Sequence, residues 1–266
     1  MDIFTYGFMQ RALIAGMFIG VSTAILGLFL VLRRFSMLGD GLAHSAFASI
    51  GIAMVLGVAP LYFAIPFTIA ASLWIYRLAD AKVVYGDTAI AMVSTLAIAV
   101  GVLAASLSGG FNVDLFSYLF GSIISVTTSE VVWAAGISIF TVAVLWYYYH
   151  DLFSLTYDED FARVSGIRVG LLQKVLVVLA ACTIVVGIRV VGTLLISSLL
   201  IFPAVTALQI AHSFKKAAMT AVFVSVVAVF SGIVISALFN LPTGAAIVAV
   251  NFILFVIAFI AGRVLR

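Results

Sequence analysis

Charge is what this sequence has least of. Asp, Glu, Lys and Arg make up 9% of its 266 residues, against roughly a quarter in an ordinary soluble domain. So few charges do not cover the surface of a water-soluble protein this long, and 65% of the residues are apolar, so lipid must be much of the solvent. Cysteine is nearly absent. The single Cys182 excludes an intrachain disulfide, and inside its apolar segment it reads as a small buried hydrophobe. No phosphate loop of the form G-x-x-x-x-G-K-S/T occurs, so the chain lacks the usual means of binding ATP. Neither H-E-x-x-H nor G-x-S-x-G is present to suggest a zinc protease or a hydrolase. Ionisable residues inside the apolar stretches are too few for a long proton relay. The net charge of +3 comes from small basic groups at the ends of apolar stretches rather than a continuous patch, which argues against nucleic acid as a partner.

What is there is a succession of apolar runs. They fall at about 8–32, 39–57, 60–79, 88–107, 128–149, 169–188, 190–212, 217–239 and 243–262. Each is long enough to cross a hydrocarbon layer about 30 Å thick. A segment such as 175–186 lacks the alternation of a barrel strand, and a helix satisfies its own backbone in lipid. The expectation is an all-α polytopic bundle, 1–266, with about nine transmembrane helices and eight as the alternative count. The first run starts without a basic segment and is too long for a signal peptide, so it is expected to stay as a span.

Basic residues orient the bundle. With nine spans, Arg33, Arg34, Arg77, Lys82, Arg163, Arg168, Lys174, Lys215, Lys216, Arg263 and Arg266 share one side, and only Arg11 and Arg189 lie on the other. The positive-inside rule puts the richer side in the cytoplasm, with the N-terminus outside and the C-terminus inside a plasma membrane. The run Trp146-Tyr147-Tyr148-Tyr149 reads as a headgroup anchor.

The longest cytoplasmic connection, 150–168, carries a candidate short helix over 157–167. Asp158, Glu159 and Asp160 stand in its first turn, where negative charge suits the helix dipole. Gly166 suits a left-handed closing residue, and Phe161, Ala162 and Ser165 are expected to form a small face. Such a segment, with Arg163, is either a solvated loop or a docking helix for a cytoplasmic partner.

Asp40 and His44 are one helical turn apart at the start of the second span, so both side chains share a face. Counting about 1.5 Å per residue from Arg34 puts Asp40 roughly 9 Å and His44 roughly 15 Å into the membrane. A carboxylate oxygen and an imidazole nitrogen are good ligands for zinc or manganese. The alternative is that Asp40 caps the second helix and His44 hydrogen-bonds a neighbour. Pro203 interrupts the seventh span and marks a kink or a gate, with Ser197, Ser198 and Thr206 available to freed backbone groups or a polar path. Asp114 and Glu130, near Phe111, Asn112 and Phe116 on the outer side, are expected to be solvated, Asp87 to cap the fourth span, and His150 and His212 to be interfacial.

Three pieces of this sequence resemble the permease subunits of the zinc, manganese and iron class of ABC importers, most closely the high-affinity zinc-uptake permeases. The segment Leu32-Arg33-Arg34-Phe35-Ser36-Met37-Leu38-Gly39-Asp40-Gly41-Leu42-Ala43-His44 matches the family pattern R-R-x-S-x-x-G-D-x-x-x-H. Asp160 to Gly166 matches the cytoplasmic coupling segment, and Val191-Gly192-Thr193-Leu194-Leu195 with Pro203-Ala204 matches V-G-x-L-L…P-A. The resemblance covers essentially the whole chain. It implies a homodimer or pseudo-dimer of permeases, two cytoplasmic ATPase subunits docked on the coupling segment, and an extracytoplasmic metal-binding protein. It also implies a role for Asp40 and His44 in the metal path. The chain would then be a transporter subunit rather than an enzyme, with no resident cofactor and zinc or manganese as cargo. A secondary metal transporter or channel working without ATP is the alternative, and a membrane scaffold with no flux is a third reading.

Overall fold

The computed structural model describes residues 5–81, 85–108, 113–193 and 195–264. Lys82, Phe111, Asn112, Leu194 and Arg266 lie outside the described residues, as does the side chain of Asp114. Among the described residues there are twelve helices and no strand. Eight are long and apolar enough to cross a membrane: α1 (Gly7–Leu32), α2 (Leu38–Leu56), α3 (Pro60–Asp80), α4 (Gly86–Leu107), α6 (Thr128–Tyr147), α9 (Val169–Val191), α11 (Phe214–Phe239) and α12 (Thr243–Val264). Their ends agree with the expected spans to within a few residues. The shorter helices are α5 (Val113–Phe120), α7 (Tyr149–Tyr157), α8 (Glu159–Val164) and α10 (Ile196–Ile210).

The ninth expected span, 190–212, becomes α10, which has 15 residues and a length of about 22 Å, short of the hydrocarbon thickness. The reason is local. α9 runs on to Val191, and Gly192 then leaves the helix at φ 90°, ψ 155°. A side chain there would strike the Leu119 carbonyl and the Phe120 backbone, so α5 sits directly on the break. The Thr193 N–H donates to the Tyr118 carbonyl at 2.8 Å and the Ser122 N–H to the Arg189 carbonyl at 3.2 Å. These bonds satisfy backbone that a continuous helix would have satisfied itself. No apolar run foretold α5. Pro203 is buried inside α10, whose helix continues through it; Ser198 bonds the Leu195 carbonyl at 2.6 Å, while the buried Thr206 hydroxyl has no hydrogen-bond partner.

α1 is the hub. It packs against α6, α9, α10 and α11, and Met9, Ile19, Leu26, Leu28 and Phe29 are fully buried along its length. A helix apolar on every side fits in lipid as well as among neighbours, and here neighbours surround it. Lipid tails are as apolar as leucine, so association depends on close packing and on hydrogen bonds between helices. Gly27 meets the Leu200 carbonyl of α10 with no room for a side chain. Ser22 bonds Ser138 of α6 at 3.1 Å, Ser225 of α11 bonds the Gly20 carbonyl at 2.8 Å, and Thr141 and Thr183 join α6 to α9 at 3.2 Å. A second group packs α2 against α3 and α4. Cys182 is half-buried on α9.

Two substitutions separate these contributions. Ser22→Ala removes one interhelical hydrogen bond and is expected to cost about 0.6 kcal/mol. Gly27→Ala drives a methyl into the Leu200 backbone and is expected to cost about 1–3 kcal/mol or more. Thermal unfolding of the purified chain in detergent checks the order: the glycine variant must have the lower Tm.

Candidate functional site

The turn between α1 and α2 sets the position of the Asp40–His44 pair. Arg34 takes a left-handed conformation at φ 60°, and the Phe35 N–H returns to the Leu30 carbonyl at 2.9 Å, so the chain reverses within five residues, 33–37. Met37 then occupies the N-cap of α2, with no side-chain capping bond. Asp40 lies inside the first turn of α2, so it does not cap the helix.

At about 100° per residue, Leu38 and Leu42 lie on one arc of α2 and Asp40 and His44 on the opposite arc. The leucine arc is fully buried. The contacts of the two flanking glycines define the sides: a side chain at Gly39 would press on Leu200 and Ser197 of α10, and one at Gly41 on Ile90 of α4 and Ile75 of α3. Between those contacts the chain leaves the Asp40–His44 arc open at Asp40 and largely closed at His44. The side chain of Asp40 is 40% exposed and that of His44 is 14% exposed. The His44 Nε2 stands 3.6 Å from the Asp40 Oδ2, outside hydrogen-bond range. Two ligands on a tetrahedral zinc, with bonds near 2.0–2.2 Å, stand about 3.3 Å apart, so this spacing leaves room for a shared ion. Among the described residues, no group of three or more His, Cys, Asp or Glu side chains surrounds a common point. One chain therefore brings a pair and not a complete site.

The 157–167 segment contains α8. The Asp158 side chain caps it by accepting from the Phe161 N–H at 3.0 Å, and Gly166 follows it at φ 82°. Its apolar faces differ from the expected ones. Ala162 is fully buried against the bundle, while Phe161 and Ser165 face outward. Phe161 and Val164 are 63% and 90% exposed, which makes a small apolar ridge on the outward face of α8, while Tyr157, 85% exposed, ends α7 beyond the extended Asp158. Val164 was not singled out in the sequence, although its i, i+3 spacing with Phe161 was readable. Asp160 and Arg163 are exposed. Glu159 turns back toward the bundle: its carboxylate takes Arg33 at 2.8 Å, Arg163 at 3.1 Å and Gln173 at 3.2 Å. Burial pushes the Arg33 guanidinium below its ordinary value, and the facing Glu159 carboxylate pushes it back up.

The opposite end corrects the expectation for Glu130. It is largely buried rather than solvated, and pairs with Arg189 at 2.6 Å. It also closes a capping box with Thr127, whose spacing T-x-x-E was legible. Arg189 lies over the Tyr118 ring, 4.1 Å from its centre, and Arg11 donates to the Val126 carbonyl at 2.9 Å. Asp87 stands in the first turn of α4, but Tyr85 is the N-cap and there is no side-chain capping bond. His150 and His212 are exposed at helix ends.

The model of the ABC 3 transport family matches residues 5–262. The chain belongs to this family. It is 31% identical over 255 residues to the manganese transport system membrane protein MntC of Listeria innocua, covering 96% of this chain and 91% of that protein. It is 29% identical over 247 residues to the high-affinity zinc uptake system membrane protein ZnuB of Haemophilus influenzae, covering 93% of this chain and 95% of that protein. Among solved structures it is similar to PsaBC from Streptococcus pneumoniae in complex with Fab, with a TM-score of 0.87 and 28% identity over 97% of this chain and 92% of that one.

Glu130→Gln keeps the shape of the Glu130 side chain facing Arg189 and removes its charge. The expected loss is about 1.5–3 kcal/mol, the range for a hydrogen bond to a charged group. It is read as a drop in Tm in detergent with membrane insertion unchanged.

Proposed function

We propose that this member of the ABC 3 transport family is the membrane-spanning subunit of an importer that moves a divalent metal ion, zinc first and manganese next, across the plasma membrane. The observation that carries the reading is the Asp40–His44 pair, 3.6 Å apart on an arc of a membrane-crossing helix that is open at Asp40. A carboxylate facing acyl chains costs about 2.5–3.5 kcal/mol on insertion scales, so this arc calls for another protein surface, water or an ion. A second copy of the chain supplies the first of these. Asp40 and His44 from each copy would then give two oxygens and two nitrogens, a donor set suited to four-coordinate zinc. The names of the relatives point to the same two metals, since MntC is called a manganese system protein and ZnuB a zinc one.

The energy enters from a separate chain. The exposed Phe161–Val164 ridge of α8 offers an apolar docking surface for a cytoplasmic ATPase subunit, one per permease copy. The concentration of basic residues at that end of the bundle supports its cytoplasmic placement, with the N-terminus outside. A binding protein docks on the outer face and releases the ion toward Asp40 and His44. ATP-driven closure of the partner subunits then pushes on α8 and opens the path inward, with α10 and its Pro203 as the candidate gate. Coordination at the pair must stay incomplete or distorted, because a closed high-affinity site would hold the ion.

Two sets of variants test this reading in liposomes holding the chain, its ATPase subunits and the binding protein. Asp40→Ala and His44→Ala are each expected to abolish uptake of zinc and manganese while inserting normally; unchanged uptake at limiting metal in both refutes the site. Phe161→Asp and Val164→Asp are expected to lose the ATPase on co-purification. Normal recovery of the ATPase with both would remove the ridge from the docking surface. Metal uptake by the permease alone, without nucleotide, would replace the importer with an ATP-independent transporter.

A further inference from the structure

The two faces of α8 carry different groups. Phe161 and Val164 point away from the bundle, whereas Glu159 and Ala162 point into it. The Glu159 carboxylate gathers donors from three elements: Arg33 directly after α1, Gln173 on α9 and Arg163 on α8 itself. Of these, Arg33 alone belongs to the turn that leads into the metal pair. The Arg33 side chain is largely buried, its other terminal nitrogen Nη1 is buried without a partner, and Glu159 is the carboxylate that meets its charge. Losing Glu159 would leave that charge uncompensated in a site largely closed to water.

The turn is also stiff. Arg33 and Arg34 donate to the Phe29 and Val31 carbonyls at 3.1 Å each, Phe35 to Leu30 at 2.9 Å, and Leu38 to Phe35 at 3.0 Å. Each residue from Arg33 to Phe35 is therefore bonded back onto the last turn of α1, and α2 begins at Leu38. No slack segment lies between Arg33 and Asp40 to absorb a displacement.

We propose that Glu159 is not a contact for the ATPase but the pin that joins α8 to the α1–α2 turn, so that Arg33 positions Asp40 in response to movement of α8. This rests on the reading of α8 as the docking helix and of Asp40–His44 as the ion's stopping place. Glu159 and Arg33 are positioning residues: neither touches the ion. A push on the outer face of α8 reaches Glu159 through one turn of helix, crosses to Arg33 through a 2.8 Å ion pair, and arrives at Asp40 through the bonded turn. Coupling of this kind requires a contiguous physical contact between two elements that move, and the pair supplies it.

The test uses the assembled complex in liposomes, with metal uptake and ATP hydrolysis measured together for Glu159→Gln, Arg33→Gln, the double variant and Arg33→Lys. Each single glutamine variant is expected to keep its ATPase subunits and at least half of the hydrolysis while uptake per ATP falls tenfold or more. The double variant is expected to fall no further than either single, the mark of one shared interaction. Arg33→Lys, which keeps a charge facing Glu159, is expected to retain most of the uptake per ATP. Unchanged uptake per ATP in Glu159→Gln overturns the proposal, as does a multiplicative loss in the double variant. Loss of the ATPase subunits from Glu159→Gln overturns it differently, by making Glu159 a docking contact. If the unaltered complex moves neither metal, the importer reading fails, and the pin is then judged by hydrogen exchange. Glu159→Gln must speed exchange at residues 33–40 and Arg33→Gln at 158–164; without that reciprocity the link is refuted whatever the cargo.

Discussion

A charged side chain on a helix in hydrocarbon must meet an opposite charge, a polar cavity or an ion, because lipid offers it no hydrogen bond. The few charges of this chain follow that constraint at three levels of the bundle. At one end, Arg189 meets Glu130. At the end that carries α8, Arg33 meets Glu159. Between them, Asp40 faces His44. In the first two a guanidinium meets a carboxylate, and Glu159 takes a second guanidinium from Arg163. The third sets a carboxylate beside an imidazole rather than a guanidinium.

The same constraint explains how the shortened helix survives in a membrane. α10 begins only after the chain has left α9 at Gly192, and the exposed backbone around that break is taken up by Tyr118 and Ser122, at or just after α5. Irregular backbone at membrane depth is tolerated when protein, not lipid, surrounds it. α5, Arg189 and Glu130 thus form one assembly, with the Arg189 side chain bonded to Glu130 and laid over the Tyr118 ring.

Hydropathy located the long helices because each apolar run ends in a polar or glycine-containing turn. It did not locate the break in the 190–212 run, since the residues on both sides of Gly192 are equally apolar and the break depends on α5 arriving from elsewhere in the chain. The Asp40–His44 pair was legible because its geometry is local, a single helical turn. Arg33 with Glu159 was not, because the partners are 126 positions apart and nothing near either residue announces the other. Glu130 lay between these cases: its capping box was written in the local sequence, and its pairing with Arg189, 59 positions away, was not.

Where a side chain separates two helices, a change of rotamer lets one slide past the other. At Gly27 nothing separates them: the backbone of α1 rests on the Leu200 carbonyl of α10. Gly262 of α12 lies in the same way against the Gln209 carbonyl of α10. These three helices have no soft layer between them at those points, so they travel as one stave. Any shear that opens the bundle has to run along seams cushioned by side chains, and α2 meets α10 across one of them, with the Leu200 side chain between Gly39 and its neighbour.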